Sequence, residues 1–113
     1  MVSLSDNIPI ITAIANDIAY DQIFAFQLYD ILNEGDVILA ISGSGNSANV
    51  IHAVEYAKAK GCKVIGMTGY NGGKLGNLAD YHFHVPCDDM QITEDLHMIF
   101  VHMMLRLFSQ LGK

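Results

Sequence analysis

Five apolar residues, Val37-Ile38-Leu39-Ala40-Ile41, run directly into Ser42-Gly43-Ser44-Gly45-Asn46-Ser47, and helical spacing begins at once afterwards. A short apolar run with β-branched members and no polar alternation reads as a strand buried on both faces. Such a strand requires a layer on each side, so the chain must build a sheet covered by helices. The turn that follows is made of glycine, serine and asparagine, which bend easily and carry donors. From Ser47 to Lys60, Val50, Ile51, Val54 and Ala57 share one face, and Gly61 stops the helix.

The rest of the chain repeats that alternation. Asp6 to Ala15 has helical spacing, with Asp6 as its expected N-cap. Tyr20 to Asn33 reads as one amphipathic helix ended by Asn33-Glu34-Gly35. Lys63–Met67 and Tyr81–Val85 read as two further strands with a short helix between them. Asp88, with Gln91 three residues on, would cap a final helix reaching about Gln110. Strand and helix in alternation specify an α/β fold: three αβα layers around a parallel, flavodoxin- or Rossmann-like sheet with right-handed crossovers. Ligands on such sheets bind at the carboxyl ends of the strands. Here those ends are Ser42–Ser47 and Thr68-Gly69.

Composition narrows the partners. The 113 residues suffice for one domain, and 51% hydrophobic against 16% charged excludes a disordered chain. Six basic against twelve acidic residues give a net charge of −6 with no basic cluster, the wrong balance for a nucleic-acid backbone. No apolar run reaches the roughly 18 residues of a membrane span. Cys62 and Cys87 form no metal-type pair and suit a reducing, cytoplasmic location.

Two readings compete for the serine-rich turn. Its free amides and the positive end of the next helix attract an anion, and Ser42, Ser44 and Ser47 add hydroxyls for phosphate oxygens. The plainer alternative is a strand-to-helix turn with Ser47 as N-cap and nothing bound. Gly43-Ser44-Gly45-Asn46-Ser47-Ala48 also matches the dinucleotide fingerprint G-x-G-x-x-G/A. That fingerprint wants an acid at the end of the next strand, and Gly66-Met67-Thr68-Gly69 holds none.

Several spaced motifs agree in order: Ser42–Ser47, Lys63-Val64-Ile65-Gly66-Met67-Thr68-Gly69, Gly72-Gly73-Lys74 and Ala79-Asp80. With Ala15-Asn16-Asp17 before them and Glu94-Asp95-Leu96-His97 through His102 after, they resemble the sugar isomerase (SIS) domain. Within it the chain is most similar to the phosphoheptose isomerases, which interconvert sedoheptulose 7-phosphate and a heptose phosphate. The resemblance implies that Ser42, Ser44 and Ser47 bind the sugar phosphate and that Asp17 accepts from sugar hydroxyls. It makes His102 the catalytic histidine. Gly43 stands where the family often has Thr, so its backbone N–H must serve. Glu94 stands where these isomerases have Gln. Some members hold zinc through that position, the histidine, and a His and Glu of an earlier helix, which makes Glu94 and His102 candidate metal ligands.

The spacing itself is less generous. Glu94 and His102 stand about 12 Å apart along a helix axis, too far to bind one metal unaided. Aldose–ketose isomerisation moves a proton between neighbouring carbons and needs both a base and an acid. In the isomerases that base is a glutamate on an early helix, which has no counterpart here. The resemblance therefore implies that residues 1–113 are the C-terminal portion of a larger family domain. Met1–Leu4 would be the tail of the family's second strand, and the family's first strand would lie beside Asp36–Ile41. Without it, strand edges stay unpaired and an apolar face uncovered. The chain alone is expected to show no turnover. The alternative is a non-catalytic SIS module that senses a sugar phosphate or scaffolds a protein assembly. A Met- and Phe-rich last helix, apolar around most of its circumference, predicts a homo-oligomer, dimer or tetramer.

Overall fold

The structure, a computed structural model, describes residues 1–112. Its elements are α1 (Ile8–Asp17), a 3-10 turn (Tyr20–Gln22), α2 (Ala25–Ile31), β1 (Val37–Ile41), α3 (Ala48–Ala59), β2 (Lys63–Thr68), α4 (Gly73–Leu78), β3 (Tyr81–His84) and α5 (Met90–Leu111). The strands lie parallel in the order β1-β2-β3, with Val37 beside Lys63 and Ile65 beside Tyr81. Helices flank both sides, as the alternation of periods requires. On one side Ala40 and Val64 of the sheet join Leu28, Val54, Ala57 and Leu75 in a continuous apolar core. On the other side α5 crosses the sheet, stacking Phe100 on Phe83 with 4.3 Å between ring centroids. Asp80 ties the layers at the start of β2: its carboxylate accepts from Val64 N (2.8 Å) and Lys58 Nζ (3.5 Å). That backbone bond above all holds its pKa below the usual 3.8.

Four expectations need correction. The expected helix 20–33 is divided, because the Gln27 side chain takes the Ile23 carbonyl (2.7 Å) and α2 starts afresh with Leu28 N on Phe24 O. Asn7 caps α1 in place of Asp6, its Oδ1 accepting from Ile10 N (3.1 Å). Asp89 caps α5 in place of Asp88, accepting from Gln91 and Ile92. Met1–Leu4 adds no strand; Leu4 turns, its carbonyl accepting from Gln27 Nε2 (3.0 Å) and its side chain packing on the core.

β1 is not the strand buried on both faces that its apolar run suggests, but it has the unpaired edge and uncovered apolar face expected without the family's first strand. It is an edge strand buried on one face only: Ala40 faces the core while Val37, Leu39 and Ile41 remain 59%, 41% and 49% exposed. α5 runs over the carboxyl ends of β2 and β3, burying Met67 and half-burying Phe83, and leaves β1 open. Apolar character alone says that a side chain should be covered, not which element covers it.

Candidate functional site

Because the strands are parallel, the loops after β1, β2 and β3 all emerge at one edge. The last rung of β1 is Ser42 N on Met67 O (3.0 Å), and the chain then turns with Gly45 N on Ser42 O (3.0 Å). The three expected serines gather here. Buried Ser42 donates its hydroxyl to Ser47 Oγ (3.1 Å), and Ser44 Oγ accepts from Asn46 N (3.1 Å). Ser47 occupies the N-cap position of α3, but its oxygen makes no capping bond. The plain capping role is thus not the one it plays. Val50 N donates to Asn49 Oδ1 (2.8 Å), which leaves the Ala48 and Asn49 amides without a side-chain acceptor at the positive end of the helix, where an anion is stabilised.

The loop after β2 docks directly on this turn. Gly69 N donates to Gly43 O (2.7 Å), Leu75 N to Gly45 O (2.9 Å) and Lys74 N to Asn46 Oδ1 (3.0 Å). Gly45 has φ +73°, and a Cβ there would overlap the Gly72 carbonyl. Only glycine permits that approach. At Gly43 a Cβ would meet only the Met90 thioether, the mobile end of a side chain that can shift, so a side chain is not excluded there. The loop after β3 joins through Tyr70 N on Cys87 O (3.1 Å).

Two clefts flank the turn. The larger, about 690 Å³, is lined by Ser44, Asn46, Tyr70, Asn71, Asp88 and Met90. The smaller, about 260 Å³, is lined by Tyr20, Asp21, Ser47, Ala48 and Asn49. The serine turn with the open end of α3 therefore stands between two solvent-reachable spaces, with no basic side chain lining either. Any anion here would have to be held by hydroxyls, amides and the helix dipole.

The other expected site residues lie apart from this cradle. Asp17 ends α1, exposed, accepting from its neighbour Asn16 (2.9 Å); the acid that lines the smaller cleft is Asp21. Asp21 is tied to α3 through its carbonyl and His52 Nδ1 (3.1 Å). Glu94 and His102 are exposed on α5, about 6 and 18 Å along the axis from Met90. Neither lines a cleft. Among the described residues no three His, Cys, Asp or Glu side chains cluster to hold a metal, and Glu94 and His102, about 12 Å apart along α5, do not form a metal site by themselves. His97 is buried and structural, donating from Nε2 to the Thr68 carbonyl (2.9 Å).

Tyr70, Asn71, Asp88 and Met90 escaped the sequence reading. Asn71 reads as a turn former and Asp88 as a helix-terminal charge. The available signal was positional, since each lies just past the carboxyl end of a strand.

Comparison with known proteins agrees with the fold. Residues 1–69 match the SIS domain family. The chain is 39% identical over 108 residues to the phosphoheptose isomerase of Aliarcobacter butzleri, covering 96% of this chain and 57% of that protein. Among solved structures, phosphoheptose isomerase from Neisseria gonorrhoeae superposes with TM-score 0.93 at 35% identity, covering 96% of this chain and 61% of that one. The Francisella tularensis enzyme gives 0.92 at 36%, covering 96% and 59%. The chain thus spans less than two thirds of each relative's length.

Proposed function

The chain belongs to the SIS domain family, and from that premise we propose that it binds a phosphorylated sugar as a phosphoheptose isomerase does, with sedoheptulose 7-phosphate as the ligand class. The observation that carries the reading is the ring of Ser42, Ser44 and Ser47 hydroxyls around the uncapped amino end of α3. In the structure these hydroxyls engage one another and the Asn46 amide. Phosphate oxygens would replace those internal partners with charge-assisted ones. Gly43, without a side chain, contributes only its N–H. Asp21 supports a hydroxyl-accepting role on the neighbouring cleft in addition to that proposed for Asp17.

Calorimetric titration with sedoheptulose 7-phosphate tests this. Ser44→Ala and Ser47→Ala are each expected to weaken binding about tenfold, the worth of one charge-assisted hydrogen bond, with little change in melting temperature. Binding indifferent to both substitutions would overturn the assignment.

The second reading, a module that binds without turning over, is favoured by Glu94 and His102 lying on α5 away from both clefts. Under it the purified chain binds the sugar phosphate and leaves it unconverted. Under the first, His102 transfers the proton when another subunit or segment brings it to a cleft. Met98, Ile99, Met103 and Leu105, exposed along α5, support a homo-oligomer, dimer or tetramer. No helix among the described residues is long and apolar enough to cross a membrane.

A further inference from the structure

The larger cleft has walls of different chemistry. Ser44 and Asn46 belong to the phosphate cradle, whereas Asp88 presents a carboxylate that repels phosphate and accepts from hydroxyls. A sugar phosphate entering this cleft would lie with its phosphate at the serines and part of its polyol towards Asp88 and Tyr70, the remainder being free to reach the neighbouring cleft.

Tyr70 is the one non-glycine residue among those described with a positive φ, +47°. A bulky side chain is disfavoured in this left-handed region. Core packing does not require it, since Tyr70 is only half-buried. Its backbone is instead held from both sides: its N–H donates to the Cys87 carbonyl (3.1 Å), and its carbonyl accepts from His84 Nε2 (2.8 Å). His84 stacks on His82, with 5.2 Å between centroids and 14° between planes, and His82 Nε2 lies 2.5 Å from Thr68 Oγ1. The conformation is thus chained to the end of β2. A disfavoured backbone that its surroundings over-determine, at the wall of a ligand-sized cleft, points to function.

We propose that Tyr70 is a specificity-determining residue, its ring and phenol hydroxyl reading the carbon chain and hydroxyls of the sugar beyond the phosphate. His84 acts as its positioning residue. An aromatic face suits sugar C–H groups, and the phenol both donates and accepts. The inference rests on the phosphosugar-binding function proposed above and adds what distinguishes one phosphorylated sugar from another.

Calorimetry on the full chain with two probes, inorganic phosphate and sedoheptulose 7-phosphate, tests it. Tyr70→Gly removes the side chain and suits a positive φ, so it is expected to melt no lower than wild type. Its phosphate affinity should be unchanged and its sugar-phosphate affinity about tenfold weaker, as loss of one ring contact and one hydrogen bond implies. Tyr70→Phe should fall between the two. His84→Ala should reproduce the selective loss, and His84→Gln, which keeps a donor, should restore it. Unchanged sugar-phosphate affinity in Tyr70→Gly, or equal losses for both probes, overturns the inference while leaving the phosphate cradle intact. Failure of the wild-type chain to bind either probe removes the underlying reading and this one with it.

Discussion

The two loops that leave the carboxyl ends of β1 and β2 are built from similar small residues but treat their polar groups oppositely. In Ser42–Ser47 the hydroxyls meet one another and a local amide, and Ser47 leaves the Ala48 and Asn49 amides of α3 without a capping bond. In the loop after β2 the donors are consumed internally or by the neighbouring turn: Gly72 N on Gly69 O (2.9 Å), Gly73 N on Asn71 Oδ1 (3.1 Å), Lys74 N on Asn46 Oδ1 (3.0 Å). The first loop can exchange its partners for those of a ligand. The second holds the first in shape, and a support with unspent donors would compete for the anion. A binding loop and its buttress thus differ less in composition than in where their hydrogen bonds go.

Gly45→Ala attacks the contact between them most severely. The new methyl would overlap the Gly72 carbonyl, at a φ of +73° that already disfavours alanine. Backbone strain and overpacking together should cost about 2–4 kcal/mol in urea unfolding, with sugar-phosphate binding lost. Near-wild-type stability would mean that the loops are not rigidly docked.

Asn46→Ala probes the same junction more gently. It leaves Lys74 N without its acceptor and should cost about 1 kcal/mol. Asn46→Asp keeps Oδ1 and should recover the stability, yet its added charge beside the cradle should weaken phosphate binding. Stability and affinity moving together in both variants would erase the distinction between buttress and binder.

The difference between the loops also marks the boundary of what the sequence discloses. The strands Val37–Ile41 and Lys63–Thr68 were legible because apolar runs between turn residues have few alternative uses. The serine turn was legible because its chemistry lies in consecutive residues. The docking of Gly45 on Gly72 was not, since it joins positions distant in the chain through backbone atoms that no side-chain pattern records. Nor was Tyr70: its left-handed φ is imposed by the Cys87 carbonyl and the His84 ring, both brought near by β3. The open face of β1 was not legible in the strand itself, because Val37, Leu39 and Ile41 read alike whether or not an element lies over them; it was expected only through the resemblance, which sets a further strand beside β1.

The smallest expected effect is a pH dependence of the buttress alone. His82 reaches Thr68 Oγ1 and lies beneath the second loop; its Cε1 would be 3.0 Å from a Cβ on Gly72 and 2.6 Å from one on Gly76. Burial against these groups, and then the charge of His84, push its imidazole below the usual 6.5. The folded state therefore disfavours the protonated ring more than the unfolded chain does. Stability is fully present above about pH 6.5 and declines as the pH falls from there towards the lowered folded value. Because the side chain is substantially exposed, the decline should be slight. Urea midpoints measured between pH 7.5 and 5.5 should fall in wild type and stay flatter in His82→Gln, whose uncharged amide does not titrate. Parallel curves for the two proteins would show that acid acts elsewhere and that the second loop is indifferent to the charge beneath it.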